Sequence, residues 1–179
     1  MNESFQHSEN LRRKIIIIFF LGLLFMVGIA IAIGWVFNDW GRIRLGWLNQ
    51  VLGPALTVGG FALVGWSVHI QYILGKGTPA PMVATQKLVR MGPYACTRNP
   101  MTLGVLFIYL GIGVWMGSGI VIALTLVVFS LLLAYIYVHE TRELSERFGE
   151  AYLEYVKQTP FLFPHCRKSL AKSDLSRRQ

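Results

Sequence analysis

The strongest constraint in this chain is a run of 23 residues, 15–37, without a single charge. As a helix it reaches about 35 Å, enough to cross the ~30 Å hydrocarbon layer of a bilayer. Further apolar runs follow at residues 51–74, 100–115 and 120–138. Lipid offers no partners to backbone polar groups, so such runs satisfy them internally as helices. They predict an all-α integral membrane protein with about four transmembrane helices. The first run also exceeds the roughly 7–15 apolar residues of a signal peptide, which argues against cleavage.

Composition agrees with this class. The chain is 54% hydrophobic and 15% charged, with mean hydropathy +0.49; soluble domains carry about 25% charged residues. Its 179 residues suit one membrane domain, residues 1–164, without a separate soluble enzyme. Residues 165–179, basic and Ser-rich, are expected to form a disordered tail. The net charge of +8 sits beside apolar runs, so anionic headgroups rather than nucleic acid are the expected partner. Lysines and arginines number three in the amino-terminal arm and four in residues 75–98. Eight follow residue 138, two lie in the first connection and none in the third. The positive-inside rule then puts both termini and the long loop on the cytoplasmic side of an inner or plasma membrane.

The second run is rich in small residues, including Gly53, Gly59, Gly60 and Gly65, which favours close helix–helix approach. His69 and Gln71 near its end read as inter-helix hydrogen-bonding residues. Trp35, Trp40 and Trp47 flank the first connection as an interfacial belt. Residues 116–119, MGSG, predict a tight turn between the third and fourth spans. Residues 139–157 then predict one amphipathic helix, with Arg142/Glu146 and Glu143/Arg147 spaced as i, i+4 pairs. Thr159-Pro160 ends it, and residues 161–164 are expected to fold onto the membrane surface.

Several kinds of site are excluded. Cys96 and Cys166 have no CxxC spacing, so neither a disulfide framework nor a zinc site is indicated. The four histidines form no HxxxH or HExxH pattern, and no metal is expected. GKGT at residues 75–78 lacks the first glycine of a phosphate loop, which rejects a nucleoside triphosphatase.

The candidate site is the stretch 88–104, LVRMGPYACTRNPMTLG. Gly92-Pro93 is a turn dipeptide, and Asn99-Pro100 predicts a helix start with Asn as N-cap and Pro at the first position. Arg98 therefore precedes the amino end of a helix entering the membrane, where free N–H groups already favour an anion. The alternative is an arginine reaching for lipid phosphates. Glu140 lies two residues past the fourth span, on the helix face shared with residues 144, 148 and 151. A carboxylate on that apolar side needs a cation. Arg98 is the expected partner, either in a structural ion pair or with the two charges embracing one zwitterionic ligand.

These residues resemble a known family. GTPAP followed by LVRMGPYACTRNPMTLG, and then HETRELSERFGEAYLEYVKQTPFLFP, look like the isoprenylcysteine carboxyl methyltransferase and phospholipid methyltransferase superfamily of membrane enzymes. Arg98, Asn99 and Pro100 match one family motif, Glu140 matches the first residue of an acidic pair, and Phe148, Gly149, Tyr152 and Tyr155 match the last motif. Thr102 stands where the first motif has tyrosine, and Thr141 stands where the acidic pair has its second acid.

The resemblance implies S-adenosylmethionine as cofactor and methyl transfer to a hydrophobic acceptor arriving from the bilayer. It implies a cofactor site built from Leu88, Val89, Gly92, Pro93, Tyr94, Arg98, Asn99, Pro100 and Glu140. In it Arg98 and the helix start would take the carboxylate, Glu140 would take the ammonium or steady Arg98, and Leu88, Val89 and Tyr94 would pack on adenosine. Two alternatives share the terminal hairpin: an NADPH-dependent membrane reductase of the sterol reductase type, and a non-enzymatic membrane scaffold.

Overall fold

The computed structural model describes residues 2–37, 42, 43, 45–75 and 88–166, without the side chains of residues 2–9, 12, 13, 139 and 140. Trp40 and the whole GTPAP segment lie outside the described residues. Six α-helices are described: α1 (Asn2–Val36), α2 (Trp47–Ile70), α3 (Pro100–Met116), α4 (Gly119–Tyr135), α5 (Thr141–Phe148) and α6 (Glu150–Gln158). Turns of π-helix extend α2 over Gln71–Gly75 and join α4 to α5 over Ile136–Glu140. Three stretches are long and apolar enough to cross a bilayer, namely Lys14–Val36, Trp47–Gly75 and Gly119–Phe148. The apolar α3 is shorter, its 17 residues rising about 26 Å.

The apolar runs do become helices, and their outward side chains stay uncovered. Phe25, Trp35, Val58 and Leu131 are all largely exposed. In water such a surface would drive aggregation; in lipid it matches its solvent. Inside, Leu23 of α1 packs with Val64 and Val68 of α2 and Ile108 and Ile112 of α3.

The closest approach is between α2 and α3. A Cβ on Gly60 would lie 2.5 Å from the Gly104 carbonyl oxygen, and one on Gly53 would lie 2.6 Å from the Trp115 backbone. Two of the small residues expected to allow helix contact therefore do so, and the backbones meet because neither carries a side chain. Gly59 and Gly65 instead have open space beside them.

At one end of the bundle the α3–α4 hairpin turns as its residues require. Gly117 takes the left-handed conformation at φ 63°, and the Ser118 hydroxyl accepts from the Val121 N–H at 3.4 Å. The first connection packs on this turn, with the Ile43 N–H donating to the Gly117 carbonyl at 2.8 Å. Buried Asn49 ties the two together. Its Oδ1 accepts from the Leu45 N–H at 2.7 Å, and its Nδ2 donates to the carbonyls of Ile43 and Val114.

The opposite end holds residues 71–75, residues 88–99 and everything from the π-turn at Ile136–Glu140 to Cys166. Two expectations change here. The single amphipathic helix is two helices, because Gly149 at φ 53° breaks the chain between α5 and α6. Nor is it separate from the fourth span, since α5 continues the same helical stretch from Gly119 to Phe148. The expected charge pairs are present on the exposed face of α5, Arg142–Glu146 at 3.0 Å and Arg147–Glu143 at 3.4 Å.

Candidate functional site

The loop carrying the candidate residues is held by side chains that its own sequence does not announce. Gly92 turns the chain at φ 60° into a short 3₁₀ turn, Gly92–Ala95, with Pro93 buried beneath it. The Tyr94 hydroxyl donates to Gln71 Oε1 at 3.1 Å, so the hydrogen bond of Gln71 goes to the site loop rather than to another span. The Tyr155 hydroxyl donates to the Tyr94 carbonyl at 2.6 Å. Arg90 donates to the Ala151 carbonyl and lies 3.8 Å from Glu154. Burial pushes the Tyr155 phenol well above its ordinary pKa. The positive charges of Arg98 and Arg90 oppose that shift, Tyr152 adds to it, and burial prevails. Tyr155 thus stays a neutral donor that clamps the loop to α6.

A second clamp comes from residues 159–166, which cross the loop as a strap. The Arg98 N–H donates to the Pro160 carbonyl at 2.9 Å, and the His165 N–H to the Cys96 carbonyl at 2.9 Å. The Thr97 hydroxyl and Asn99 Nδ2 both donate to the Phe161 carbonyl, at 3.2 and 3.1 Å. Asn99 holds the N-cap position of α3 as expected, but its side chain makes no cap bond. Its amide nitrogen serves the strap.

Three more expectations are corrected. Phe161, expected at the membrane surface, packs over Arg98, its ring centroid 5.4 Å from the guanidinium carbon. The expected tail begins with two residues, His165 and Cys166, that belong to the body. Cys96 and Cys166 form a disulfide, with Cα atoms 4.2 Å apart across 70 residues of sequence. Spacing along the chain gave no hint of that pair, because the fold alone brings the strap back to the loop.

Two cavities meet at Arg98. The outer one, about 80 Å³, is lined by Leu88, Val89, Tyr94, Arg98 and Asn99 from the loop. Gln71, Ile136, Thr141, Leu144, Tyr152, Tyr155 and Phe161 complete it. The inner one, about 410 Å³, shares Gln71, Tyr94, Arg98, Asn99 and Ile136 with it. Beyond them it is walled by Phe19, Pro100, Met101, Thr102, Val105, Phe129 and Leu132. Small-molecule sites span roughly 300–1,000 Å³. The outer pocket alone falls short of that range, and the inner one already lies within it. The Nε of Arg98 is buried and has no hydrogen-bond partner among the described residues. A buried donor left without an acceptor is costly, and any anionic group, the Glu140 carboxylate or a ligand's, would satisfy it.

Of the sequence candidates, Leu88, Val89, Tyr94, Arg98 and Asn99 line the outer cavity and Pro100 the inner one. Gly92 and Pro93 line neither and serve to shape the turn. The side chain of Glu140 lies outside the described residues, and with it the expected pair with Arg98. Its backbone closes the π-turn immediately before Thr141, at the same end of the bundle as Arg98. Gln71, Leu144 and Phe161 were not among the candidates. Neither were Tyr152 and Tyr155 of the matched carboxyl-terminal motif, which was the available signal for them. Thr102, the departure from the Arg98-Asn99-Pro100 motif, lines the inner cavity, and Thr141, the departure from the acidic pair, lines the outer one.

A helical membrane protein with a pocket of mixed polar and apolar lining that adjoins a larger cavity among its apolar helices is the class that fold and site define. The profile of the phospholipid methyltransferase family matches residues 48–151, more than half of the chain. The chain belongs to that family. Its fold is similar to the solved structure of the eukaryotic intramembrane Ras methyltransferase ICMT (isoprenylcysteine carboxyl methyltransferase), with a TM-score of 0.56 and 17% identity. That alignment covers 79% of this chain and 50% of the other, so the chain spans about half the length of the structure it resembles. No curated protein sequence matches it.

Proposed function

We propose that this protein transfers a methyl group from S-adenosylmethionine to a hydrophobic acceptor that reaches the site from within the bilayer. The observation that carries the reading is Arg98: a guanidinium whose buried Nε has no hydrogen-bond partner among the described residues, standing where a pocket of mixed polar and apolar lining meets a larger, mostly apolar cavity among the spans. A donor carrying both a carboxylate and a nucleoside suits the outer side, and a lipid-soluble acceptor suits the inner side.

In this reading Arg98 and the first N–H groups of α3 hold the carboxylate. Glu140 takes the ammonium or steadies Arg98. Leu88, Val89 and Tyr94 form the apolar wall for adenosine. When bound, the cofactor supplies an activated methyl group on a sulfonium. The chain's own residues contribute alignment and exclusion of water, with Phe161 and Tyr155 closing the aqueous side. The lysine and arginine distribution favours the cytoplasmic side for this end of the bundle, where a water-soluble cofactor is available. Family membership favours this reading over the reductase alternative, and activity measurement separates it from a scaffold that keeps the fold alone.

The test uses purified protein in nanodiscs of extracted membrane lipid, supplied with methyl-labelled S-adenosylmethionine. Label in the organic phase, lost in Arg98→Ala, is the expected result. No transfer to any lipid-soluble fraction, with folded protein present, counts against methyl transfer.

A further inference from the structure

The Cys96–Cys166 disulfide is a cross-link between the site loop and the strap that covers it. Cys96 is two residues before Arg98, and Cys166 ends the described strap, five residues past Phe161, which walls the outer cavity and faces the Arg98 guanidinium. Between them the strap is otherwise held by hydrogen bonds from Arg98, Thr97, Asn99 and His165. Cys166 is exposed and Cys96 half-buried, so a thiolate from solution has access to the bond. The charge distribution puts this end of the protein in the cytoplasm, where thiols are kept reduced and the disulfides that do form are transient or redox-sensing.

We infer that Cys96 and Cys166 are a redox site: a reversible clasp that locks the strap over the cofactor pocket when oxidised and releases it when reduced. The inference rests on the cofactor reading for its consequence and on the inner-face orientation for its setting. Release is ordinary thiol–disulfide exchange with a dithiol of the thioredoxin class or with glutathione. An attacking thiolate bonds to Cys166 Sγ, and Cys96 leaves as the thiolate and takes up a proton. A second thiol then resolves the mixed disulfide. Two electrons and two protons pass to the protein, and the reductant leaves as its disulfide. Oxidation reverses these steps. Because Phe161 is part of the pocket wall, the closed strap belongs to the binding-competent state. Loss of the cross-link lowers the fraction of protein in that state, and apparent affinity falls in proportion.

The test takes full-length protein in detergent in oxidised and dithiol-reduced forms, beside Cys96→Ser and Cys166→Ser. Backbone amide exchange at Arg98 and His165, whose N–H groups bond across the strap, is one readout, and S-adenosylmethionine affinity is the other. Reduction and either serine variant are expected to speed exchange at both amides. They are also expected to weaken binding by about threefold or more, the penalty if the strap is closed only a third of the time. Equal exchange in both redox forms overturns the clasp, as does affinity that is unchanged or tighter on reduction. So does a disulfide that resists reduction in the folded protein. Absence of binding in either form counts against the cofactor reading, and amide exchange then decides the clasp by itself.

Discussion

Replacing Tyr155 with Phe isolates one contact on which the site loop depends. The phenol is 4% exposed and donates to the Tyr94 carbonyl at 2.6 Å. Tyr155→Phe keeps the ring and removes that donor, leaving the carbonyl without this partner at a cost of about 1–3 kcal/mol near neutral pH. The pH dependence gives a sharper signature. Burial raises the folded-state pKa of Tyr155 above its ordinary 10.0. Its contribution is therefore complete below the unfolded pKa and is lost as pH rises above it.

The loss runs at up to about 1.4 kcal/mol per pH unit, the slope for one proton. Wild type is thus expected to be the more stable below about pH 10, and the two stability curves to converge within about one to two units above it. Equilibrium unfolding in detergent, followed by circular dichroism across this range, measures both curves. Curves that stay parallel into alkali, or a variant as stable as wild type at neutral pH, would refute the clamp.

Other expectations concern the frame around the site. Gly60→Ala drives a Cβ to 2.5 Å from the Gly104 carbonyl and is expected to lower stability by about 1–3 kcal/mol. Gly59→Ala meets open space and should be neutral or stabilising by about 1 kcal/mol through helix propensity; paired thermal melts in detergent decide both. Asn49→Leu removes three hydrogen bonds that join the first connection to the α3–α4 turn, and about 1–3 kcal/mol is expected to go with them. Asn49→Asp keeps the acceptor for Leu45 but turns a carboxylate toward two carbonyls, so it should be the worse of the two in the same melts. Equal effects would show that the far-end knot does not depend on the amide donor.

What could be read in advance was local. Long uncharged runs announce helices in lipid whatever their neighbours. Asn99-Pro100 marks the start of α3, and Gly117-Ser118 the hairpin turn, because each demand is met within a few residues. Spacing alone also set the i, i+4 pairs of α5. What escaped depended on segments far apart in sequence. Asn99 looked like a cap, yet its side chain answers a carbonyl 62 residues away. Cys96 and Cys166 looked solitary because no spacing rule covers a partner delivered by a returning strap. Phe161 read as a membrane-surface residue because only the folded chain sets it against Arg98. Gly149 did carry a usable signal, a glycine inside an amphipathic pattern, and its left-handed conformation is where the single helix splits in two.

The most direct measurement of the central claim is equilibrium binding of labelled S-adenosylmethionine to purified wild-type protein and to Arg98→Ala, with matched helical content. Saturable binding is expected, weakened by about tenfold or more in the variant, the range for loss of a charge-assisted hydrogen bond. No saturable binding by wild type, or equal affinity in the two proteins, would contradict it.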